Sequence, residues 1–412
     1  MNSRDNALDR RAFLGLTALA GGALAASGVA RGEERPDAAS AVSSPPKAAP
    51  YRYWIYGCGA TPAETAPQMK EMGFHVVVGG DAKAIEAVTA AGMESWLCGG
   101  AFGTSAEDTA NLACDIQGTP QLWFGSGSPN SPVLREKNLK SYEEMAKTPG
   151  VTGILVDGCR FASPASGLLP FLSDFSEHSQ KKALSLGFDW EGMKRDVAAL
   201  HATLTGQAGD LRKLGVWLRS PIGVVEWLTA HPGIIEWLRF RRTCITEHFR
   251  AIHDVLHGAG KKMGVYIFTP SFAPLVGQSY ADLAEFVDVF CPMIYRNYHE
   301  RPGIACLNWE LTIIPEELGV AGSADEALVM EAVLALTGLS AAVTARKVRH
   351  IQTATPPESV AHETAMARAL LPENKELAPI VHIDDPQMGE TADGVRRAGA
   401  DGRNPPRPRF GG

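Results

Sequence analysis

From residue 51 onward, short apolar runs alternate with amphipathic segments. The first runs, Tyr51–Tyr56, Phe74–Val78 and Glu94–Cys98, are rich in β-branched and aromatic residues and predict strands. The segments between them carry helix-start signals at Thr61 and helical periodicity from Ala82. Strand, helix and strand in this order and at this spacing predict βαβ units and therefore a parallel sheet.

The same alternation continues through the rest of the chain. Trp237–His257 is strongly amphipathic, with apolar residues at helical spacing, and predicts a long helix. We predict the fold class to be α/β, a (β/α)8 TIM-type barrel over residues 51–402 with long insertions after strands 3 and 4. The later predicted strands are Ile154–Val156, Lys262–Phe268, Val287–Tyr295, Val348–Thr353 and Ala378–Ile383.

The end of the pattern is irregular. Residues 399–402 read as a turn into a closing strand, but residues 403–412 contain three prolines, which remove the backbone donors that a strand needs. We therefore expect the closing strand of the barrel to be missing or altered, with an irregular tail over 403–412.

The amino end predicts export. Arg10 and Arg11 lie in a segment that resembles the twin-arginine export signal, and the apolar run Leu14–Ala26 follows it. We predict a signal peptide over 1–30, a disordered linker over 31–50 and a periplasmic or extracellular mature protein. The apolar run is too short for a stable membrane span, so no membrane partner is expected after the signal is removed.

Composition narrows the possible partners and cofactors. The net charge of −7 and the lack of a basic stripe disfavour nucleic acid and anionic membranes. The seven cysteines include no C-x-x-C pair, and the histidines form no H-x-H or H-E-x-x-H set, so no metal and no cofactor is expected. A disulfide between Cys98 and Cys159 is permitted by the compartment but not favoured.

The candidate chemistry begins at the end of the fourth predicted strand. The run Ile154–Val156 leads directly into Asp157, and Arg160 follows three residues later. The carboxyl ends of buried parallel strands are where barrel enzymes hold their catalytic residues. Charged side chains at the end of a buried strand are stable only if they are paired or if they serve a function. Asp157 and Arg160 therefore indicate a functional site. The alternative is an Asp–Arg pair that only holds the loop.

Four segments together resemble glycoside hydrolases of the (β/α)8-barrel type. The resemblance covers roughly residues 50–402 and implies a barrel that cleaves or binds carbohydrate. The chain departs from the pattern at Gly158, where an aromatic residue often follows the Asp. The segments are Asp157–Phe161, similar to Asp-x-x-Arg-Phe; Trp237–Arg242, similar to Trp-x-x-Phe-Arg; Gly277–Tyr280 followed by Leu283; and Pro292–Tyr295.

Glycoside hydrolysis requires two carboxyl groups that flank the scissile bond. Asp157 is the first catalytic candidate, and Asp384 or Asp385, after a predicted strand, is the second, although their turn is equally compatible with a helix cap. Glu300 and Glu310 are reserve acids. The candidates for substrate binding are Arg160, Tyr295, Trp309, Trp123 and Tyr266.

Two functions follow from this assignment. The first is an exported glycoside hydrolase acting on a polysaccharide or oligosaccharide. The alternative is a non-catalytic carbohydrate-binding barrel, a degenerate glycosidase that lacks a competent carboxylate pair. For Tyr295 packing is nearly as compatible with the sequence as sugar binding, for Trp309 a surface or core role is slightly favoured, and for Trp123 and its neighbour the two interpretations are about equal.

Overall fold

The computed structural model describes residues 51–206, 208–297, 305–353, 355–382, 384–400 and 402–403. The predicted signal peptide, the predicted linker and the tail from residue 404 lie outside the described residues, as does Glu300.

Within the described residues, ten strands form one large sheet and one small hairpin. The strands are β1 (Arg52–Tyr56), β2 (Val76–Val78), β3 (Glu94–Gly99), β4 (Ala113–Cys114), β5 (Pro120–Gln121), β6 (Val151–Val156), β7 (Lys262–Phe268), β8 (Val289–Met293), β9 (Glu376–Leu377) and β10 (Gly402–Arg403).

Sixteen α-helices connect and surround these strands in the described part of the chain. They are α1 (Pro62–Glu71), α2 (Ala82–Ala90), α3 (Pro132–Ala146), α4 (Leu168–Phe171), α5 (Glu177–Ser185), α6 (Trp190–Thr205), α7 (Ala208–Leu218), α8 (Pro221–Ala230), α9 (Pro232–Gly258), α10 (Tyr280–Leu283), α11 (Leu307–Glu310), α12 (Ile313–Glu317), α13 (Glu326–Leu336), α14 (Val348–Thr353), α15 (Pro357–Leu370) and α16 (Met388–Arg397).

The large sheet has the strand order β10-β1-β2-β3-β6-β7-β8-β9, and every neighbouring pair in it is parallel. All eight carboxyl ends therefore lie along the same edge of the sheet. The residues that directly follow the strands meet at that edge, which is where parallel α/β sheets place their sites.

The sheet is curled so that its two ends approach each other. β10 pairs with β1 and contacts β9. Glu376 in β9 accepts hydrogen bonds from Arg52 Nη1 (2.7 Å) and Trp54 Nε1 (2.9 Å), both in β1. The fold is thus mixed α/β, with a curled parallel sheet and many helices packed around it.

The core explains why the strands are continuous apolar runs. Ile154, Leu155 and Val156 in β6 are fully buried, as expected for a strand covered on both faces. A Cβ atom on Gly264 would lie 2.6 Å from the Leu155 side chain, so a larger residue here would force Leu155 to move. Helix α9 buries the predicted apolar face against this sheet, which confirms the amphipathic prediction.

Two of the predicted late strands are different in the structure. Val348–Thr353 is helix α14, and its buried residues Val348 and Ile351 are three positions apart, which is helical spacing. The pairing predicted for Ala378–Ile383 begins earlier, in β9, and continues only as an isolated bridge between Met293 and Ile380.

The prediction that the closing strand is missing was wrong in part. Gly402 and Arg403 form β10, which pairs in parallel with Arg52 and Tyr53 of β1. Two residues are enough for this pairing, and the first proline of the tail, Pro405, comes after them. The prolines limit the strand length but do not prevent the strand.

The seven cysteines are all free, so Cys98 and Cys159 form no disulfide. Among the described residues, no helix combines the length and the apolar character that crossing a membrane requires.

Candidate active site

Asp157 lies at the carboxyl edge of the sheet, directly after β6. Its backbone N–H donates to Gly99 O at the end of β3 (2.8 Å), which holds the residue between two strand ends. Its Oδ1 accepts a hydrogen bond from the Gly158 N–H (2.7 Å). Gly158 has φ +67°, a conformation that strains other residues, and this explains glycine at the departure from the family pattern.

The environment of Asp157 favours its protonated form. Burial raises the pKa of the carboxyl group, and the opposing effects of the Gly158 hydrogen bond and the Arg160 charge are smaller. Cys98, Tyr142 and Tyr295 are the other titratable side chains on which the Asp157 charge acts. The site therefore contains a carboxyl group that holds its proton more readily than a free aspartate.

Arg160 is close enough to Asp157 for their charges to interact, and only 4% of it is exposed. Its Nη1 donates to Phe161 O (2.9 Å). The guanidinium lies over the ring of Phe268, 4.9 Å from its centroid, and near that of Phe124, at 5.9 Å. Burial lowers the pKa of Arg160, and the charges of Glu310 and Asp157 oppose that effect.

Glu310, a reserve acid in the sequence analysis, connects two segments of the site. It ends α11 and accepts hydrogen bonds from Ser163 Oγ (2.9 Å), Ala165 N (2.9 Å) and Ala305 N (3.0 Å). Burial raises its pKa to about 7, although these hydrogen bonds and Arg160 favour the ionised form. Glu310 therefore fastens the loop after β6 to the segment that follows β8.

Two predicted tyrosines also belong to this region. Tyr295 follows β8 and is half-buried, and burial together with the Asp157 charge raises its pKa. Its ring lies 4.4 Å from that of His382, measured between centroids. Tyr266 is in β7 and is buried. The structure thus brings Asp157 and Tyr295 together and adds His382, which the sequence analysis did not single out for this role.

Both tryptophans that were predicted to bind substrate, Trp309 and Trp123, are buried. Trp309 packs against Cys306 and Ile313, and Trp123 packs in a small cluster with two alanines. The neighbour of Trp123, Phe124, is 39% exposed and flanks Arg160. The aromatic pair in the sequence indicated this loop, but which ring is exposed depends on how the loop packs.

Asp384 and Asp385 have different surroundings. Asp384 is exposed. Asp385 receives Arg296 Nε (2.6 Å) and Nη2 (2.5 Å), together with Gln387 N (2.9 Å) and Thr391 Oγ1 (3.0 Å). Burial opposes ionisation of Asp385, but these hydrogen bonds outweigh it and lower the pKa. The oxygens of Asp385 are thus engaged, and the catalytic role of either aspartate stays a prediction.

No protein-family model matches this chain, and no curated protein matches it either. The chain is similar to solved structures at low identity. One is the glycoside hydrolase domain of PgaB (BpsB) from Bordetella bronchiseptica, with a TM-score of 0.47, 11% identity, 87% of this chain and 94% of that chain covered.

Two further similar structures have smaller scores. The endo-1,4-β-D-mannanase of Thermotoga petrophila has a TM-score of 0.37 and 8% identity, with 87% of this chain and 88% of that chain covered. The 3-keto-D-glucoside 4-epimerase YcjR of E. coli has a TM-score of 0.37 and 12% identity, with 88% and 93% covered. The similar structures thus include glycoside hydrolases, at TM-scores below 0.5.

Proposed function

We propose that this protein is an exported glycoside hydrolase built on a (β/α)8-type barrel, with long insertions after β3 and β6. The observation that carries the proposal is the position of Asp157. This carboxyl group lies at the carboxyl edge of a parallel sheet, is partly open and has a raised pKa. A partly buried acid at this edge is the feature that barrel enzymes use for proton transfer.

In this proposal Asp157 is the general acid. Burial raises the pKa of this carboxyl group, which favours the protonated form that donates a proton to the departing glycosidic oxygen. Tyr295 and Phe124 offer a hydroxyl group and an exposed ring for the sugar.

The second carboxylate is assigned to Asp384. Asp385 is held by two hydrogen bonds from Arg296, whereas its neighbour Asp384 is exposed. An exposed carboxylate is available to activate water or to stabilise positive charge in the transition state. This assignment predicts that Asp384→Asn reduces hydrolysis and leaves stability unchanged.

The test is a screen of the mature protein on polysaccharides and aryl glycosides, followed by kinetics of Asp157→Asn on the best substrate. We expect kcat to fall by about 10²- to 10⁴-fold, the usual contribution of a general acid. Asp393→Asn, at an exposed position of α16, is the matched control and should leave kcat unchanged. Full activity in Asp157→Asn would remove Asp157 from the mechanism.

One observation favours the alternative, a non-catalytic carbohydrate-binding barrel. Asp385 is engaged by Arg296, and Glu310 accepts three hydrogen bonds from the protein itself, so two of the candidate acids have structural partners. In that case the protein binds oligosaccharides in calorimetry but releases no sugar from any substrate in the screen.

We also propose the periplasm or the extracellular space as its location, on the basis of Arg10 and Arg11 in the amino-terminal segment. Changing both to lysine should retain the full-length protein in the cytoplasm. Cell fractionation with an antibody against the mature region measures this. Unchanged export of the double variant would contradict a twin-arginine signal.

A further inference from the structure

Three arginine side chains are nearly sealed within the described residues: Arg160, Arg241 and Arg296. Two of them have several hydrogen-bond partners each. Arg241 donates to three backbone carbonyls, those of Leu275 (2.5 Å), Phe171 (2.8 Å) and Ser173 (2.7 Å). Arg296 is paired with Asp385 and also donates to a backbone carbonyl. Each of these two guanidinium groups therefore makes at least three hydrogen bonds with the protein, although Arg241 Nε has no partner among the described residues.

Arg160 is the exception. It donates a single hydrogen bond, from Nη1 to Phe161 O. Within the described part of the chain its Nε and Nη2 make no hydrogen bond, and these atoms are not sealed from solvent. Arg241 Nε also lacks a hydrogen-bond partner there, but that atom is sealed from solvent. Arg160 thus retains two donor atoms, Nε and Nη2, without a partner among the described residues, in a residue that is 4% exposed.

The acids beside Arg160 do not neutralise it by direct contact. Neither Asp157 nor Glu310 forms an ion pair with it within the described residues. Glu310 is occupied by Ser163 and by two backbone N–H groups. Burial raises the pKa of both acids, that of Glu310 to about 7, and so opposes their ionisation. A further positive charge, on Arg241, also acts on the same region.

A nearly buried guanidinium without a directly paired carboxylate is costly, because its desolvated charge is only partly compensated. Its free edge matches a planar anion, since Nε and Nη2 can donate two parallel hydrogen bonds to the two oxygens of a carboxylate. Phe124 is 39% exposed, and its ring centroid lies 5.9 Å from the guanidinium carbon of Arg160, close enough to support the ring that bears the anion.

We propose that Arg160 binds the carboxylate of an acidic sugar, a uronic acid unit of the substrate, through Nε and Nη2. This inference rests on the proposed carbohydrate function and names the class of sugar that the same site takes. The net charge of −7 provides no long-range attraction for an acidic glycan. Recognition therefore depends on the two neighbouring donors of Arg160, Nε and Nη2, which together form a fork.

The test measures binding by calorimetry in the Asp157→Asn protein, in which turnover is expected to be about 10²- to 10⁴-fold slower. The probes are tetragalacturonide, its carboxyl-reduced neutral form and a sulfated tetrasaccharide. We expect tetragalacturonide to bind at least about tenfold more tightly than the neutral form, as expected for hydrogen bonds to a charged group. Arg160→Gln should abolish this preference, and Arg160→Lys should weaken it because lysine lacks the fork.

A second measurement needs no substitution at Arg160. Phenylglyoxal labels accessible guanidinium groups, and peptide mass spectrometry locates the label. Arg160 should react and be protected by tetragalacturonide but not by the reduced form. Arg241 is fully buried, and Arg296 is held by Asp385, so both serve as internal controls and should react slowly with or without the sugar.

The outcomes separate this inference from the proposed function. Equal binding of tetragalacturonide and its reduced form, or a preference that persists in Arg160→Gln, overturns the uronate assignment. Tighter binding of the sulfated sugar overturns it as well. Hydrolysis of neutral glycans by the wild-type protein, unaffected by Arg160→Gln, leaves the enzyme intact and refutes the role of Arg160. Binding of uronate with no hydrolysis supports the fork and refutes the enzyme.

Discussion

Two Asp–Arg associations occur at the carboxyl edge of this sheet, and they differ in how completely the charges are paired. Arg296 and Asp385 form a bidentate ion pair, with both side chains about 93% buried or more. Asp157 and Arg160 influence each other's charge but make no direct ion pair within the described residues. The same two residue types therefore form a structural link in one place and leave donors and a carboxyl group available in the other.

The pKa values follow this difference. Hydrogen bonds from Arg296 lower the pKa of Asp385 against the effect of burial, whereas burial dominates at Asp157 and raises its pKa. A carboxyl group stabilised as an anion contributes to folding. One whose charge is disfavoured costs stability and is retained where chemistry needs it.

The largest change in stability should come from breaking the ion pair between Arg296 and Asp385. Asp385→Asn leaves the Arg296 charge buried without its partner, and we expect the free energy of unfolding to fall by about 3–5 kcal/mol at pH 7. Urea unfolding measures this. Because the folded-state pKa of Asp385 is lowered, the loss should shrink as pH falls through that lowered pKa.

Asp384→Asn is the matched control for this experiment, because Asp384 is the adjacent residue and is exposed. Its unfolding curve should match that of the wild-type protein. If the two variants destabilise the protein equally, the Arg296 pair is not the source of the effect and the contrast between the two associations fails.

A smaller change in stability, of opposite sign, is expected at Asp157. The raised pKa of Asp157 means that its ionised form is disfavoured in the folded protein, so the wild type loses stability as pH rises through that pKa. Asp157→Asn removes this loss and should stabilise the protein at pH 7. Below the ordinary range of aspartate the difference should vanish.

Thermal unfolding at several pH values between acid and neutral measures this difference. A destabilising effect of Asp157→Asn at pH 7 would show that the carboxylate is paired in the native state. The two associations would then be of the same kind.

The smallest effect belongs to an exposed pair of the same residue types. Arg242 donates from Nε to Asp282 Oδ2 (2.6 Å) and from Nη2 to Oδ1, but about half of its side chain is exposed. Arg242→Ala should cost less than about 1 kcal/mol, and added salt should reduce the difference further. A loss as large as that of Asp385→Asn would show that burial does not govern these pairs.

Local sequence patterns predicted a large part of this fold. The strand Lys262–Phe268 has the predicted bounds, and helix α9 contains the whole predicted amphipathic segment. These predictions succeed because the spacing of apolar residues records which faces of an element are buried. The same reasoning placed Asp157 and Arg160 at the end of β6, because the residues that follow a parallel strand must lie at the carboxyl edge of the sheet.

Long-range packing decided the rest. Arg296 and Asp385 are 89 residues apart in the chain, and Glu310 reaches a loop 145 residues earlier, so no local pattern announces either contact. Likewise, the exposure of Phe124 and the burial of Trp123 depend on the surface that the loop meets.

The sequence by itself determined the order of the elements and the edge at which the acid and the arginine lie, because periodicity and strand direction are local properties. Only the tertiary structure decided which carboxylates accept hydrogen bonds from the protein, as Asp385 and Glu310 do, and that Arg160 retains donors without a partner among the described residues. Each polar group makes only a few hydrogen bonds, and the fold determines which groups from distant parts of the chain lie within the roughly 3 Å that a hydrogen bond requires.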